Sequence, residues 1–357
     1  MSEARRTNGQ HSSGVPHGAT EPARCSDRGD ASGSVVLVTA RSFGTGTRDL
    51  AGELSADGIR VLRGPADHRP EALAPLLAEA DAWIAGTGAV TDEQLAAAPR
   101  LRVIARYGVG VDAVDLAAAA RRGVLVTNTP GANSGAVADH TIALLLAALR
   151  GVTAGDRRVR DGSWTVGDRA HELGSLTVGV VGFGRIGRGV AARLHGFGSR
   201  VLATDPFVPA DAIIAAGAEP CAPESIPVDA DVVTLHAPGD TVVVDEAWLA
   251  TVKPGLVLVN TARAALVDEE ALARALRDGR LAGYAADTLS AETEKSESPL
   301  LAADLADRVT LTPHIAAQTV QAVDQMGAGA VAAVRAVLAG RDPDPAVVVI
   351  GRERLPA

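Results

Sequence analysis

The sequence predicts an α/β fold made of two doubly wound parallel sheets, each covered by helices. Two observations carry this. Short apolar runs alternate with stretches of helical periodicity from residue 34 almost to the end of the chain. One of those runs leads straight into a glycine turn that opens a helix, as a strand–turn–helix unit requires. The chain is 357 residues long, which leaves room for two cores.

The elements follow in order. Residues 1–33 are rich in Ser, Gly, Pro, Arg and Asp and nearly empty of bulky apolar side chains, so a disordered N-terminal tail is expected. VVLVTA (35–40) reads as a buried strand, Thr47–Asp57 as a helix, and Val61 as the centre of a short strand. Helices at Pro70–Ala80, Asp92–Ala97 and Val114–Arg122 alternate with strands DAWIAG (81–86), LRVIAR (101–106) and VLVTNT (124–129). Residues 131–151 read as one long helix, capped by Asn133 or Ser134, and Asp156–Gly162 as a polar connection. A second series opens at SLTVGVVGFGRIG (175–187). It continues with strands VLATD (201–205), DVVTLH (231–236), GLVLVNT (255–261), AGYAAD (282–287) and VTLTPH (309–314). Gly327–Leu338 reads as a closing helix.

Composition narrows the function. A net charge of −9 and only 3% aromatic residues disfavour a nucleic-acid partner, which needs basic patches and stacking surfaces. Cys25 and Cys221 make neither a disulfide framework nor a zinc spacing, and no pair among the eight histidines has metal-ligand spacing, so no metal is expected. No apolar run approaches the roughly 18 residues needed to cross a membrane. With two thiols suited to a reducing compartment, a cytoplasmic location is expected.

The glycine turn is G-x-G-x-x-G at Gly182, Gly184 and Gly187. Missing side chains let backbone amides approach a pyrophosphate, and a helix N-terminus favours its charge. The next strand ends in Asp205, eighteen residues past Gly187, where a carboxylate takes ribose hydroxyls and repels a 2′-phosphate. The expected cofactor is NAD. The plainer alternative is a tight turn with a solvent-facing Asp205.

In an open parallel sheet, ligands bind outside the carboxyl ends of the strands. Asp205, His236, Arg263, Asp287 and His314 all fall there, whereas His68, His140, His171 and His195 read as surface or packing residues. In LVNTARAALVDEEAL (258–272), an apolar run ends in Arg263, and a guanidinium is costly to bury unless an anion meets it. If Arg263, Glu292 and His314 converge beside a nicotinamide, the guanidinium binds a carboxylate and polarises its neighbouring carbonyl. The imidazole then exchanges a proton, and the glutamate fixes its tautomer. That makes a hydride-transfer site for a 2-oxo acid. Otherwise Arg263 pairs with Asp268 or Glu269, His314 bonds to backbone, and Glu292 sits in a solvated loop.

The ordered segments RYGVGVDAVDLAAAARRGVLVTNTPGANSGAVADHT (106–141), VGVVGFGRIGRGVA, LHAP, KPGLVLVNTARAALVDEEALARAL, AGYAADTL and LTPHIAAQT resemble the NAD-dependent D-2-hydroxyacid dehydrogenases, in the phosphoglycerate dehydrogenase-like branch. The resemblance covers about residues 35–342. It implies two Rossmann-like domains: a flavodoxin-like substrate domain (34–127 and 318–345) with an inserted NAD-binding domain (128–317), then a C-terminal tail (346–357). It implies catalytic Arg263, Glu292 and His314. It puts Gly182, Gly184, Arg185, Ile186 and Gly187 at the pyrophosphate, and Asp205, His236, Ala237 and Pro238 along the adenosine half. Thr261, Ala262, Asp287 and Ala316 fall toward the nicotinamide. The loop Tyr107, Gly108, Val109 and Gly110 would offer amides to a substrate carboxylate, with Arg106 meeting a second anionic group. A homodimer through the long helix is implied.

The sequence also departs from the family pattern. Ala264-Ala265 replaces a glycine pair, Asp287-Thr288-Leu289 replaces DVF, and Asp139 replaces a glutamate. SAETEKSES lacks the usual prolines, so Glu292 is assigned by spacing and Glu294 is its rival. The loop IAGTGAVT (84–91) lacks the basic residue that helps bind phosphate in phosphoglycerate dehydrogenases. The substrate stays open between phosphoglycerate-like, phosphonate-like and other 2-hydroxy acids. A non-catalytic NAD(H) sensor of the corepressor type and a phosphite-type dehydrogenase are the alternatives.

Overall fold

The structure, a computed structural model, describes residues 33–167, 170–239, 241–290, 292 and 297–351. The expected N-terminal tail, apart from Gly33, and Glu294 lie outside the described residues. The chain begins with β1 (Val35–Val38), α1 (Leu50–Ala56), β2 (Arg60–Arg63), α2 (Pro70–Leu77), β3 (Ala82–Ala85), α3 (Asp92–Ala96), β4 (Val103–Arg106), α4 (Leu116–Arg121) and β5 (Leu125–Thr127). Three of these helices start where the sequence supplies a cap: Asp49, Thr91 and Asp115 each accept the amide three residues on.

The chain then runs through α5 (Ser134–Arg150), α6 (Val152–Arg160), β6 (Thr177–Val181), α7 (Arg185–Phe197), β7 (Arg200–Thr204), α8 (Ala210–Ala215), β8 (Glu219–Pro220) and α9 (Ile226–Asp229). It continues with β9 (Val232–Leu235), α10 (Glu246–Ala250), β10 (Leu256–Asn260), α11 (Glu269–Arg277), β11 (Leu281–Ala286) and β12 (Val309–Leu311). Finally α12 (Val320–Leu338) and β13 (Val348–Ile350) return to the first domain.

One sheet has the order β13-β5-β4-β3-β1-β2 and the other β12-β11-β10-β9-β6-β7-β8. All pairings are parallel except β13 with β5. Strands such as β1, β3, β9 and β10 are buried along their whole length, as helices on both faces demand. In the second sheet the order reverses at β6, between β7 and β9, and the glycine turn leaves that switch point.

Three expectations are corrected. The polar stretch expected as a connection from Asp156 lies largely in α6, whose exposed face is held by an Asp156–Arg160 pair at 2.8 Å, one turn apart. The closing helix starts at Val320, seven residues earlier than expected, because Thr319 caps it through the Ala322 amide. Its glycines do not break it, since they admit close neighbours: a Cβ on Gly327 would stand 2.1 Å from Leu50 Cδ1. In the expected C-terminal tail, Val348–Ile350 pairs antiparallel with β5 and closes that sheet edge.

The loop after β3 is braced by a buried histidine. His68 is 3% exposed and has φ +54, a backbone region costly to most residues. The Thr39 hydroxyl oxygen accepts from Trp83 Nε1 at 2.9 Å and the Gly86 amide at 3.3 Å, so its own proton goes to His68 Nε2, 2.7 Å away. His68 Nδ1 then donates to the Ala89 carbonyl at 2.9 Å. The ring is therefore neutral, and burial holds its pKa below the ordinary 6.5. Below pH 6.5 the unfolded chain binds this proton before the folded one does, so the contribution fades as pH falls. Thermal unfolding followed by circular dichroism from pH 7.5 to 5 should show a falling midpoint. The fall should be smaller in His68→Asn, and an equal fall in both proteins would refute the assignment.

Candidate functional site

At the carboxyl end of β6 the glycine turn closes tightly on itself. A Cβ on Gly187 would lie 2.1 Å from the Gly182 carbonyl oxygen. One on Gly182, which has φ +90, would lie 2.6 Å from both the Ala237 amide nitrogen and the His236 carbonyl carbon. Around Gly184, at the N-cap of α7, there is open space. The turn is thus sealed below and open above, as backbone amides facing a pyrophosphate require. Arg185 and Ile186 begin α7, and the Arg185 side chain reaches toward Gly131.

Asp205 is not a free surface carboxylate. It accepts the Phe183 amide at 2.7 Å and the Phe207 amide at 2.8 Å, so it is oriented over the turn. His236, beside Ala237 and Pro238, bonds through Nε2 to Thr234 at 2.9 Å. Its Nδ1 is buried without a partner among the described residues. Burial pushes this imidazole down to about 3, so it stays neutral. A dinucleotide fits this set: a glycine cradle, an oriented carboxylate and an orphaned ring nitrogen.

The turn after β10 is built from Asn260, which is fully buried. Its side chain accepts the Ala262 amide at 3.0 Å and donates to the Arg263 carbonyl at 2.8 Å, fixing the direction in which Arg263 leaves the strand. Thr261 meets Thr141 of α5, hydroxyl to hydroxyl, at 2.8 Å. Arg263 then reaches across to the other domain. Its Nε donates to Asp112 at 2.7 Å, its Nη1 donates to the Ala262 carbonyl at 2.8 Å, and a Cβ on Gly110 would stand 2.2 Å from its Nη2. Neither Asp268 nor Glu269 is its partner: Asp268 caps α11 and Glu269 faces Ser290 and Ser298.

His314 has φ +54, a left-handed backbone that costs a non-glycine residue about 1 kcal/mol. Asp287 holds it there. Only 2% exposed, its carboxylate accepts the Ile315 amide at 2.9 Å, the Ala316 amide at 2.8 Å and the Thr312 hydroxyl. The His314 amide also donates to the Asp287 carbonyl at 3.0 Å. Hydrogen bonds to a charged acceptor contribute about 1.5–3 kcal/mol each, so the latch outweighs the strain. Both Asp287 oxygens therefore have partners within the chain. His140 of α5, read from sequence as a surface or packing residue, bonds to Thr312 at 2.9 Å and stands 3.5 Å from Asp287.

His314 Nδ1 meets Glu292 Oε2 at 2.8 Å. That hydrogen bond holds the imidazole above its ordinary 6.5; burial and the nearby Arg263 charge act the other way. Of the three side chains singled out in the sequence, Glu292 and His314 are thus paired, and the Arg263 charge lies close enough to act on the same imidazole.

On the opposing loop the picture is mixed. The Tyr107 amide donates to Ala85 and the Gly108 amide to Arg106, so neither is available to a ligand. The Tyr107 ring is buried, and its hydroxyl donates to the Val323 carbonyl of α12 at 2.8 Å. The amides of Val109 and Gly110 have no acceptor among the described residues. Arg106 is 7% exposed and donates to the carbonyls of Ala85 and Tyr107 at 3.0 and 3.1 Å. Its Nε is buried and unpartnered. Burial and then the Arg263 charge push it down to about 10, so it keeps its proton at neutral pH.

Residues 142–316 match the family description "D-isomer specific 2-hydroxyacid dehydrogenase, NAD binding domain". The chain is 40% identical over 298 residues to the D-3-phosphoglycerate dehydrogenase of Mycobacterium bovis, covering 82% of this chain and 55% of that protein. It therefore spans about half the length of that relative. It is also 40% identical over 240 residues to the glyoxylate reductase of Pyrococcus furiosus, covering 64% of this chain and 70% of that one. Among solved structures, the D-lactate dehydrogenase of Aquifex aeolicus, complexed with NAD and lactic acid, superposes with a TM-score of 0.77 at 27% identity, covering 89% of this chain and 99% of that one.

Substituting Gly187→Ala forces a methyl against the Gly182 carbonyl and opens the turn. NADH affinity, followed by nicotinamide fluorescence, should fall by roughly tenfold or more with the far-ultraviolet spectrum unchanged. Unaltered affinity would show that this turn does not hold the phosphates.

Proposed function

The chain belongs to the D-isomer specific 2-hydroxyacid dehydrogenase family, and from that premise we propose that it moves a hydride between NAD(H) and a small 2-hydroxy or 2-oxo acid. The observation that supports this reading is the Glu292–His314 hydrogen bond, with the Arg263 charge acting on the same imidazole. Gly182, Gly184, Arg185, Ile186 and Gly187 would hold the pyrophosphate, Asp205 the ribose, His236, Ala237 and Pro238 the adenosine side, and Thr261, Ala262, Asp287 and Ala316 the nicotinamide side. Bound there, the nicotinamide supplies or accepts the hydride.

The protein's own groups do the rest. Arg263 holds the acid's carboxylate together with the Val109 and Gly110 amides and polarises the adjoining carbonyl. Asp112 already accepts from Nε and the Ala262 carbonyl from Nη1, which leaves Nη2, against Gly110, as the donor for the substrate carboxylate. His314, whose hold on its proton Glu292 strengthens, gives that proton to the developing alkoxide in reduction and takes it back in oxidation. Arg106, a buried cation with no carboxylate partner among the described residues, favours acids carrying a second anionic group such as a phosphate or phosphonate. A cytoplasmic homodimer is part of the reading. The exposed apolar side chains of Val152, Val159, Trp164 and Val166, along and beyond α6, support the self-association.

The test is NADH oxidation with 3-phosphohydroxypyruvate, phosphonopyruvate, hydroxypyruvate, glyoxylate and 2-oxoglutarate. Turnover with at least one is expected, fastest with a second anion. NADH binding without turnover would favour a sensor, and NADH formation from NAD with phosphite alone would favour the phosphite-type reaction. With the active substrate, Arg263→Ala should lower kcat/KM by about a thousandfold or more, since binding and polarisation are lost together; near-normal turnover would remove Arg263 from the reaction. Asp205→Ala should weaken NADH and narrow the preference over NADPH. An unchanged preference would mean that Asp205 does not read the ribose.

A further inference from the structure

Glu269 is a carboxylate that the proposed reaction leaves unused, yet it is only 9% exposed. It is the first residue of α11, six residues beyond Arg263. One oxygen accepts the Ser290 amide at 2.7 Å, and the other accepts the Ser290 hydroxyl at 2.8 Å and the Ser298 hydroxyl at 2.5 Å. Ser290 and Ser298 flank the segment that carries Glu292, and Glu292 bonds His314. A carboxylate at a helix N-terminus is well placed to accept such donors.

Resting on the reading of His314 as proton donor, we infer that Glu269 is a positioning residue that clamps both feet of the Glu292 segment and so keeps Glu292 on the imidazole. Glu269 stands at the α11 end of the connection that begins with Arg263. Release of either foot frees Glu292 to move into solvent. His314 is then left facing Asp287, whose oxygens are taken by the Thr312, Ile315 and Ala316 donors, and Arg263, itself paired with Asp112. His140 reaches this group through Thr312.

The experiment titrates His314 directly in the full chain, by the nuclear magnetic resonance of its Cε1 proton, assigned by its loss in His314→Gln. Glu292→Gln should reduce the proton affinity of His314 by roughly tenfold. Glu269→Gln and the milder pair Ser290→Ala with Ser298→Ala should move it in the same direction. Adding either to Glu292→Gln should move it no further, because all act through one carboxylate. A lower melting temperature with His314 titrating as in the wild type would make Glu269 a purely structural residue and overturn the inference. A His314 titration unmoved even by Glu292→Gln would instead overturn the Glu292–His314 pairing on which the proposed reaction stands.

Discussion

A carboxylate buried at the end of a strand must be met by donors, and the way Asp287 is met sets the geometry of the cleft. Two consecutive amides and a hydroxyl from the segment after β12 converge on it. They hold His314 in a left-handed conformation that its own side chain disfavours. From that turn the imidazole meets Glu292, and through Thr312 the same turn meets His140 of α5. The imidazole–carboxylate pair, the strand end and the long helix are thus tied to one buried carboxylate.

The two domains face each other through a second charge arrangement, between Arg263 and Asp112. Both side chains are substantially exposed, at 36% and 59%, so the pair contributes little to stability. Its consequence is geometric. Asn260 fixes where Arg263 starts, Asp112 fixes where it ends, and Gly110 leaves room for the guanidinium between them. A carboxylate anchored across the cleft keeps the guanidinium extended toward the loop that has unused amides at Val109 and Gly110.

Features that depend on near neighbours were legible in the sequence. The turn at Gly182, Gly184 and Gly187 needs only residues close in the chain, and the strand that follows places Asp205 over it. Arg263 and His314 were visible because each ends an apolar run, and strand ends collect chemistry in parallel sheets. Spacing assigned Glu292 but left Glu294 as its rival, since spacing in a polar loop does not say which side chain turns inward; Glu292 meets His314, and Glu294 lies outside the described residues. Asp112, Asn260, Glu269 and His140 were also missed as site-building residues. Asp112 meets a group 151 positions away and His140 one 172 positions away. The misread ends of α6 and α12 have a related cause: polar and glycine-rich stretches look like loops until Asp156 pairs with Arg160, and Leu50 comes to rest where a side chain on Gly327 would be.

The sequence by itself determined most of the strands and helices, though not α6 or β13, that a glycine turn follows β6, and which charged and imidazole groups stand at strand ends. Those are consequences of periodicity, missing side chains and burial cost, all of which act over short distances along the chain. Only the tertiary structure decided which partners those groups meet: Asp112 for Arg263, Glu292 for His314, chain amides for Asp287, and two serines for Glu269. A hydrogen bond is specific to about a few tenths of an ångström, and that precision comes from packing whole domains together.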